Sequence, residues 1–271
     1  MYKILALDID GTLLNTRKEI TPKVALAIES LQDRGIPVLI ASGRPAQGIR
    51  QVAAELHMQE RGGYILSFNG GKIIDCATGA TVYSQTVPEE YYKEVTDYAS
   101  KLDASIITYD GDYIITDRPD NEYVELESRV VRMPVKQVDS LYDTIVRDKI
   151  KVDKFLLVGK PEYMTSRVEA MKEHFKGRLN IFQSEPYFIE VVPLGIDKAA
   201  SLDVLLKKLG LTREELVACG DGHNDVTMID YAGMGVAMAN ACDEVKAVAD
   251  FITTSCDEDG VAVAIGKFFI D

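Results

Sequence analysis

The chain has 271 residues, 46% hydrophobic and 27% charged, which suits one large or two modest globular domains and excludes disordered, collagen-like and low-complexity chains. Its 30 Lys and Arg stand against 43 Asp and Glu, a formal charge of −13. Such a field repels phosphate backbones and anionic membranes, so no nucleic-acid and no membrane partner is expected.

Lys3-Ile4-Leu5-Ala6-Leu7 is a short apolar run that stops at Asp8-Ile9-Asp10-Gly11, the pattern of a strand covered on both faces. Thr21-Pro22 reads as a helix start, an N-cap followed by proline at the first helical position. Val24, Ile28 and Leu31 recur at helical spacing, and Gly35 is the end signal. Ile36 to Ala41 predicts a second buried strand ending at Ser42-Gly43-Arg44, and Pro45 opens another helix. Strand, helix, strand, helix at this spacing is a βαβ pattern.

The middle changes character from about Val82 to Glu190, where tyrosine is frequent and strands come in adjacent pairs. Ser105 to Tyr109, then Asp110-Gly111-Asp112, then Tyr113 to Thr116 predicts a β-hairpin. Helical stretches are expected near Glu89 to Leu102 and Pro161 to Phe175. After it, Asp197 to Leu209 reads as a helix with Ala200, Leu202, Leu205, Leu206 and Leu209 on its apolar side, and Thr212 to Glu215 has the form of a capping box. Leu216 to Gly220 predicts a strand ending at Asp221, Val226 to Tyr231 a helix, and Gly235 to Met238 a further strand. The expected fold class is α/β, a doubly wound, mostly parallel sheet with an inserted α+β domain. Its expected parts are 1–82 (core, first part), 83–190 (inserted domain) and 191–271 (core, second part).

No stretch reads as a transmembrane span, since the longest run without a charge, Cys76 to Pro88, is rich in Thr, Gly and Ser. The chain reaches Asp8 after one short apolar run, which does not read as a signal peptide. Cys76, Cys219, Cys242 and Cys256 form no CxxC pair, so a cytoplasmic protein with reduced thiols is expected. With only His57, His174 and His223, a histidine-rich zinc site is not expected.

The sharpest chemical feature is Asp8-Ile9-Asp10-Gly11-Thr12-Leu13 at the end of the first strand. In an open α/β sheet, ligands bind beyond the carboxyl ends of strands. Residues two apart in a strand face the same way, so Asp8 and Asp10 could line one cavity. Two carboxylates this close repel; a cation can neutralise one while the other keeps a raised pKa and serves as an acid. A calcium loop needs further ligands and a distant Glu, and Thr12-Leu13-Leu14 does not supply them. Gly220-Asp221-Gly222-His223-Asn224-Asp225 is a second acidic cluster after an apolar strand. Carboxylates gathered at one sheet edge suit a hard cation such as Mg²⁺, with calcium or a plain surface turn as the competing readings. Ser42 and Lys198 could donate to a phosphoryl group at Asp8, with Arg44 nearby. Each also has an ordinary reading, a solvated helix lysine for Lys198 and a surface ion pair for Arg44. A GxSxG elbow and a Walker A loop are absent, and Gly233-Met234-Gly235 follows a predicted helix rather than a strand. Tyr91, Tyr92, Tyr98, Tyr109 and Tyr113 read as core and surface of the inserted domain rather than as a base-stacking platform.

At these residues the sequence resembles the haloacid dehalogenase superfamily, with four motifs in the family's order: Asp8-x-Asp10-Gly11-Thr12, Ser42, Lys198 and Gly220-Asp221-x-x-Asn224-Asp225. The long insertion is similar to a type-2 cap, and Asn69-Gly70, Glu190 and Gly235 to Ala241 look like the Cof-type, or IIB, subfamily. The resemblance implies a Mg²⁺-dependent phosphatase of small phosphorylated metabolites, sugar phosphates foremost, with a phosphosugar mutase or a non-catalytic sensor as alternatives. It implies that Asp8 is the nucleophile, that Asp10 is the acid and base, and that Lys198 completes the catalytic set. By the same resemblance Asp8, the Asp10 carbonyl and Asp221 hold Mg²⁺, with Asp225 in or near the shell. Ser42, Gly43, Arg44, Asn69 and Asn224 would lie against the substrate, Asn224 orienting Lys198 or the phosphate side and Arg44 pointing to the phosphate. His223 could touch substrate or face solvent. Glu190 could help join cap and core or pair with a cation.

Overall fold

The structure, a computed structural model, describes residues 1–270. The chain divides into two compact units, one formed by Met1–Tyr83 with the chain from Asp197 onward, the other by Ser84–Ile196. The first unit opens with β1 (Ile4–Leu7), α1 (Pro22–Asp33), β2 (Val38–Ala41), α2 (Ala46–Glu55), α3 (Met58–Arg61), β3 (Tyr64–Ser67), β4 (Lys72–Asp75) and β5 (Thr81–Ser84). The second unit holds α4 (Tyr92–Ser100), β6 (Ser105–Asp110), β7 (Tyr113–Thr116), α5 (Glu122–Val131), β8 (Val135–Gln137) and α6 (Leu141–Asp148). It continues with β9 (Phe155–Val158), α7 (Pro161–His174), β10 (Leu179–Glu185) and β11 (Phe188–Pro193). The chain then returns through α8 (Lys198–Leu209), β12 (Leu216–Gly220), α9 (Val226–Tyr231), β13 (Met234–Ala237), α10 (Asp243–Val248), β14 (Phe251–Ile252) and α11 (Gly260–Ile265).

In the first unit the strand order is β14-β13-β12-β1-β2-β3-β4-β5. From β14 to β3 all neighbours are parallel, and β4 returns antiparallel to β3. The uninterrupted apolar run of β1 follows from its central place: all four residues are buried, as a strand covered on both faces requires. Thr21 caps α1 by accepting the Val24 N–H, Pro22 sits in the first turn, and Val24, Ile28 and Leu31 form the buried stripe. The chain leaves β1 towards β2 and β3 on one side and comes back through β12, β13 and β14 on the other. That is a topological switch point, where a crevice opens beyond the strand ends. The register aligns the ends: Leu7 pairs with both Cys219 and Ile40. Asp8, Ser42 and Asp221 are thereby carried to one edge.

In the second unit the strand order is β10-β11-β9-β6-β7-β8. Its pairings are antiparallel except for β7 with β8. The expected hairpin is β6 and β7, with Asp110 opposite Tyr113 and Gly111 at φ 55° in the two-residue turn. Residues of α4, α6 and α7 form a core with Phe155 and Leu157 of β9 and Ile189 and Val191 of β11. Glu190 pairs with Lys154 at 3.3 Å, both buried, so it takes a cation within its own unit.

The expected return to the core at 191 needs correcting. β11 runs on to Pro193, with Val191 opposite Phe155 and Val192 opposite Asn180, so a boundary after Glu190 would cut a paired strand. The second unit therefore ends at Ile196, and it begins at Ser84, one residue later than expected.

Candidate active site

Asp8 follows β1 directly and stays nearly buried, its N–H bonded to the Cys219 carbonyl at 3.0 Å. Lys198 is the first residue of α8, which Asp197 caps by accepting the Ala200 N–H at 2.8 Å. The Lys198 ammonium is fully buried and has three partners: Asp8 Oδ1 at 2.7 Å, Asp225 Oδ1 at 2.5 Å and the Ala41 carbonyl at 2.9 Å. An ammonium has three protons to donate, so this set satisfies it. A buried lysine with three partners is not the ordinary solvated helix lysine.

Asp225 also builds the turn after β12. Its Oδ2 accepts the N–H groups of Asp221 and Gly222, each at 2.9 Å. Gly220 makes that approach sterically feasible, since a Cβ there would lie 2.6 Å from the Cβ of Asp225. Asp221 is oriented in turn by Thr12, whose hydroxyl donates to Oδ1 at 2.8 Å. Gly11 has φ 82°, and a Cβ at that position would lie 2.3 Å from Asp221 Oδ2. The Gly after Asp10 therefore meets two demands at once, a left-handed turn and close packing against the second acidic cluster.

Asp10 is held differently. Arg44 reaches it with a two-pronged contact, Nε to Oδ2 at 3.0 Å and Nη2 to Oδ1 at 2.8 Å, and Lys18 donates to Oδ1 at 2.8 Å. The planar guanidinium matches a carboxylate bidentately, which explains why Arg44 pairs with Asp10, a half-exposed carboxylate of the first motif. Sequence reasoning did not single out Lys18; its φ of 62° and the Asn15 side chain accepting the Arg17 and Glu19 N–H groups mark a tight turn visible only in the fold.

Ser42 is buried at the end of β2, its hydroxyl accepting the Arg44 N–H at 3.2 Å. The Asn69 N–H bonds to the Ser42 carbonyl at 3.0 Å, and Asn69 Oδ1 accepts Asn224 Nδ2 at 3.0 Å. A Cβ on Gly43 would come within 3.0 Å of the Asn69 amide, so these three positions are in close register. Phe68 and Asn69 both have positive φ, 54° and 55°. Two such residues in succession store strain, a common trait of functional turns. Asn224 thus orients Asn69, and it is Asp225 that orients Lys198. His223 is 75% exposed and faces Cys242 and Glu244 rather than the aspartates.

The electrostatics separate the two carboxylates of the first motif. Burial, helped by the neighbouring Asp225 carboxylate and opposed by Lys198, raises Asp8 to about 7. Burial of Asp10 is outweighed by Lys18 and Arg44, which hold its pKa below the usual value. The raised member is therefore Asp8, and Asp10 is the ionised one. Burial also raises Asp221 to about 6, with Thr12 opposing and Asp225 adding to the rise. Burial alone would lower Lys198, but Asp225 and Asp8 hold it above the usual lysine range.

Asp8, Asp221 and Asp225 bring carboxylate oxygens within 4.8 Å of one another. Three carboxylates face one ammonium, an imbalance that suits a divalent cation, and all-oxygen donors suit a hard one. Asp225 already spends Oδ1 on Lys198 and Oδ2 on two amides. Asp8 and Asp221 are the carboxylates with more capacity to give.

A family model described as haloacid dehalogenase-like hydrolase matches residues 5–265. The chain belongs to that family. The 5-amino-6-(5-phospho-D-ribitylamino)uracil phosphatase YcsE of Bacillus subtilis is 32% identical over 97% of this chain and 94% of its own. A haloacid dehalogenase-like hydrolase of Bacteroides thetaiotaomicron has a crystal structure that superposes with a TM-score of 0.93 at 43% identity, over 99% of this chain and all of the other. The subclass IIB sugar phosphatase BT4131 superposes with a TM-score of 0.79 at 26% identity, over 98% of both chains. This haloacid dehalogenase-like hydrolase is a phosphatase.

Proposed function

We propose that this phosphatase is Mg²⁺-dependent and hydrolyses small phosphorylated metabolites in the cytoplasm, sugar phosphates foremost, through an aspartyl-phosphate on Asp8. The observation that carries the proposal is the buried Lys198 ammonium joining Asp8 to Asp225, with Asp221 beside them. A sugar phosphate and a phosphoribityl compound are named for two relatives, and both are small phosphomonoesters. The charge of −13 disfavours nucleic-acid substrates.

An Asp8 carboxylate oxygen attacks phosphorus as the bond from phosphorus to the leaving alcohol oxygen breaks. Asp10 gives that oxygen its proton. Asp10 then takes a proton from water, whose oxygen attacks phosphorus, and phosphate leaves with Asp8 restored. Covalent catalysis divides one hard displacement into two, and the acid of the first becomes the base of the second. The Ser42 hydroxyl, and Lys198 once it exchanges one of its three partners for a phosphoryl oxygen, donate where charge must be stabilised. Asp8, Asp221 and the Asp10 carbonyl would hold Mg²⁺, with Asp225 alongside. When bound, the ion supplies charge neutralisation for Asp8 and the phosphoryl group. To serve as the acid, Asp10 must exchange Arg44 and Lys18 for a proton and the leaving oxygen, and Arg44 is then released to the substrate's phosphate.

Phosphate release from hexose, pentose and triose phosphates and p-nitrophenyl phosphate tests the reading, with Mg²⁺ and with chelator. Metal-dependent release from the sugar phosphates, lost in Asp8→Asn, is expected. An isomerised sugar phosphate without release would instead favour a mutase, and tight binding with no turnover a sensor.

A further inference from the structure

His223, Cys242 and Glu244 stand together on the first unit, apart from the group of Asp8, Asp221 and Asp225. His223 lies in the turn after β12, and Cys242 and Glu244 sit at the start of α10. His223 Nδ1 is 3.9 Å from Cys242 Sγ and 3.7 Å from Glu244 Oε2. One ligand atom from each residue lies within 4.8 Å of the other two. Zinc bonds to nitrogen, oxygen and sulfur of about 2.0–2.3 Å set donor atoms about 3.3–3.6 Å apart in a tetrahedral site. The two contacts to His223 are within a few tenths of an ångström of that spacing. The His223 and Glu244 side chains are 75% and 61% exposed, so small rotations disturb no packing.

The donor chemistry differs from that of the aspartate group. Imidazole and thiolate favour borderline ions such as Zn²⁺ and Co²⁺ over Mg²⁺. We propose that His223, Cys242 and Glu244 form a second metal site, selective for a borderline divalent ion, with water completing the coordination. One backbone bond ties it to the catalytic edge: the Cys242 N–H donates to the Asp221 carbonyl at 3.0 Å. An ion held here therefore anchors α10 to the turn that carries Asp221 and Asp225.

The test is a Co²⁺ titration of the full chain in saturating Mg²⁺, followed by absorption. The expected result is one equivalent of Co²⁺ bound with a thiolate-to-cobalt charge-transfer band. Cys242→Ser should abolish the band, and His223→Ala and Glu244→Gln should each weaken Co²⁺ binding by about tenfold or more. Circular dichroism of the three variants separates loss of a ligand from loss of fold, and the two exposed positions keep the test informative should Cys242→Ser destabilise the chain. No band in the wild type, a band that survives Cys242→Ser, or wild-type affinity in either of the other variants would overturn the site.

Discussion

Lys198 carries more of the site than any other single side chain. Its ammonium bridges two buried carboxylates that would otherwise face each other, and breaking a buried ion pair from one side costs about 3–5 kcal/mol because the partner is left charged and unpaired. Lys198→Met is accordingly expected to abolish turnover and to lower the urea midpoint of the metal-free protein; an unchanged midpoint would show that the pairing is not structural. Asp8 gives a second prediction. Folding raises its carboxyl from 3.8 to about 7, so the folded metal-free chain keeps a proton that the unfolded chain has lost. Its contribution therefore erodes stability as pH rises from about 4 to about 7 and is constant above that range. Mg²⁺ binding as proposed would expel that proton, and part of one from Asp221. Calorimetry at pH 6 in buffers of different ionisation heat should show proton release on Mg²⁺ binding, shrinking towards pH 8.5; a buffer-independent heat at pH 6 would contradict the assignment. The gathering of Asp8, Asp10, Ser42, Lys198 and Asp221 at one candidate site was legible in the sequence, because each sits where an apolar strand or a cap signal ends. Which carboxylate titrates high was not legible. That depends on Arg44 and Lys18 reaching Asp10, a contact across 34 and 8 residues of chain that no local pattern encodes.

At the scale of elements, the readable parts were those with strong local patterns. β1, β2, β12, α1 and α8 announce themselves by buried apolar runs, by the Thr21-Pro22 cap and by the 3.6-residue stripe. The Thr212 to Glu215 capping box is real, with the Thr212 N–H donating to Glu215 Oε2 at 3.0 Å, yet it closes a single turn before β12 rather than a helix. The end of the inserted segment was placed too early because Glu190 interrupts the apolar run of β11, yet the strand continues through Val191, Val192 and Pro193. The turn that ends β12 is the most demanding local structure, because Gly220 lies against Asp225. Gly220→Ala should cost about 1–3 kcal/mol from overpacking and displace Asp225 from both Lys198 and the Asp221 amide. Denaturant unfolding and kcat measured together check this: stability and turnover should fall jointly, and a variant stable and active as wild type would show that the turn has slack.

The whole molecule is a division of labour between two units with separate cores. The first gathers residues from positions 8, 42, 198 and 221 at one sheet edge, a convergence that follows from the reversal of strand order about β1. The second is an uninterrupted segment whose two ends are held close by Gln85, which donates to the Leu194 carbonyl at 2.8 Å. A segment with its own core and adjacent ends should fold alone. Residues 84–196 expressed in isolation are expected to unfold in one cooperative transition; a featureless melt would show that the segment depends on the rest of the chain. The measurement that tests the central claim most directly is rapid acid quenching of the enzyme during turnover of a ³²P-labelled sugar phosphate with Mg²⁺. The account predicts acid-stable label on the protein, mapped to the peptide that contains Asp8 and absent from Asp8→Asn. Turnover with no protein-bound label, or label that persists in Asp8→Asn, would contradict it.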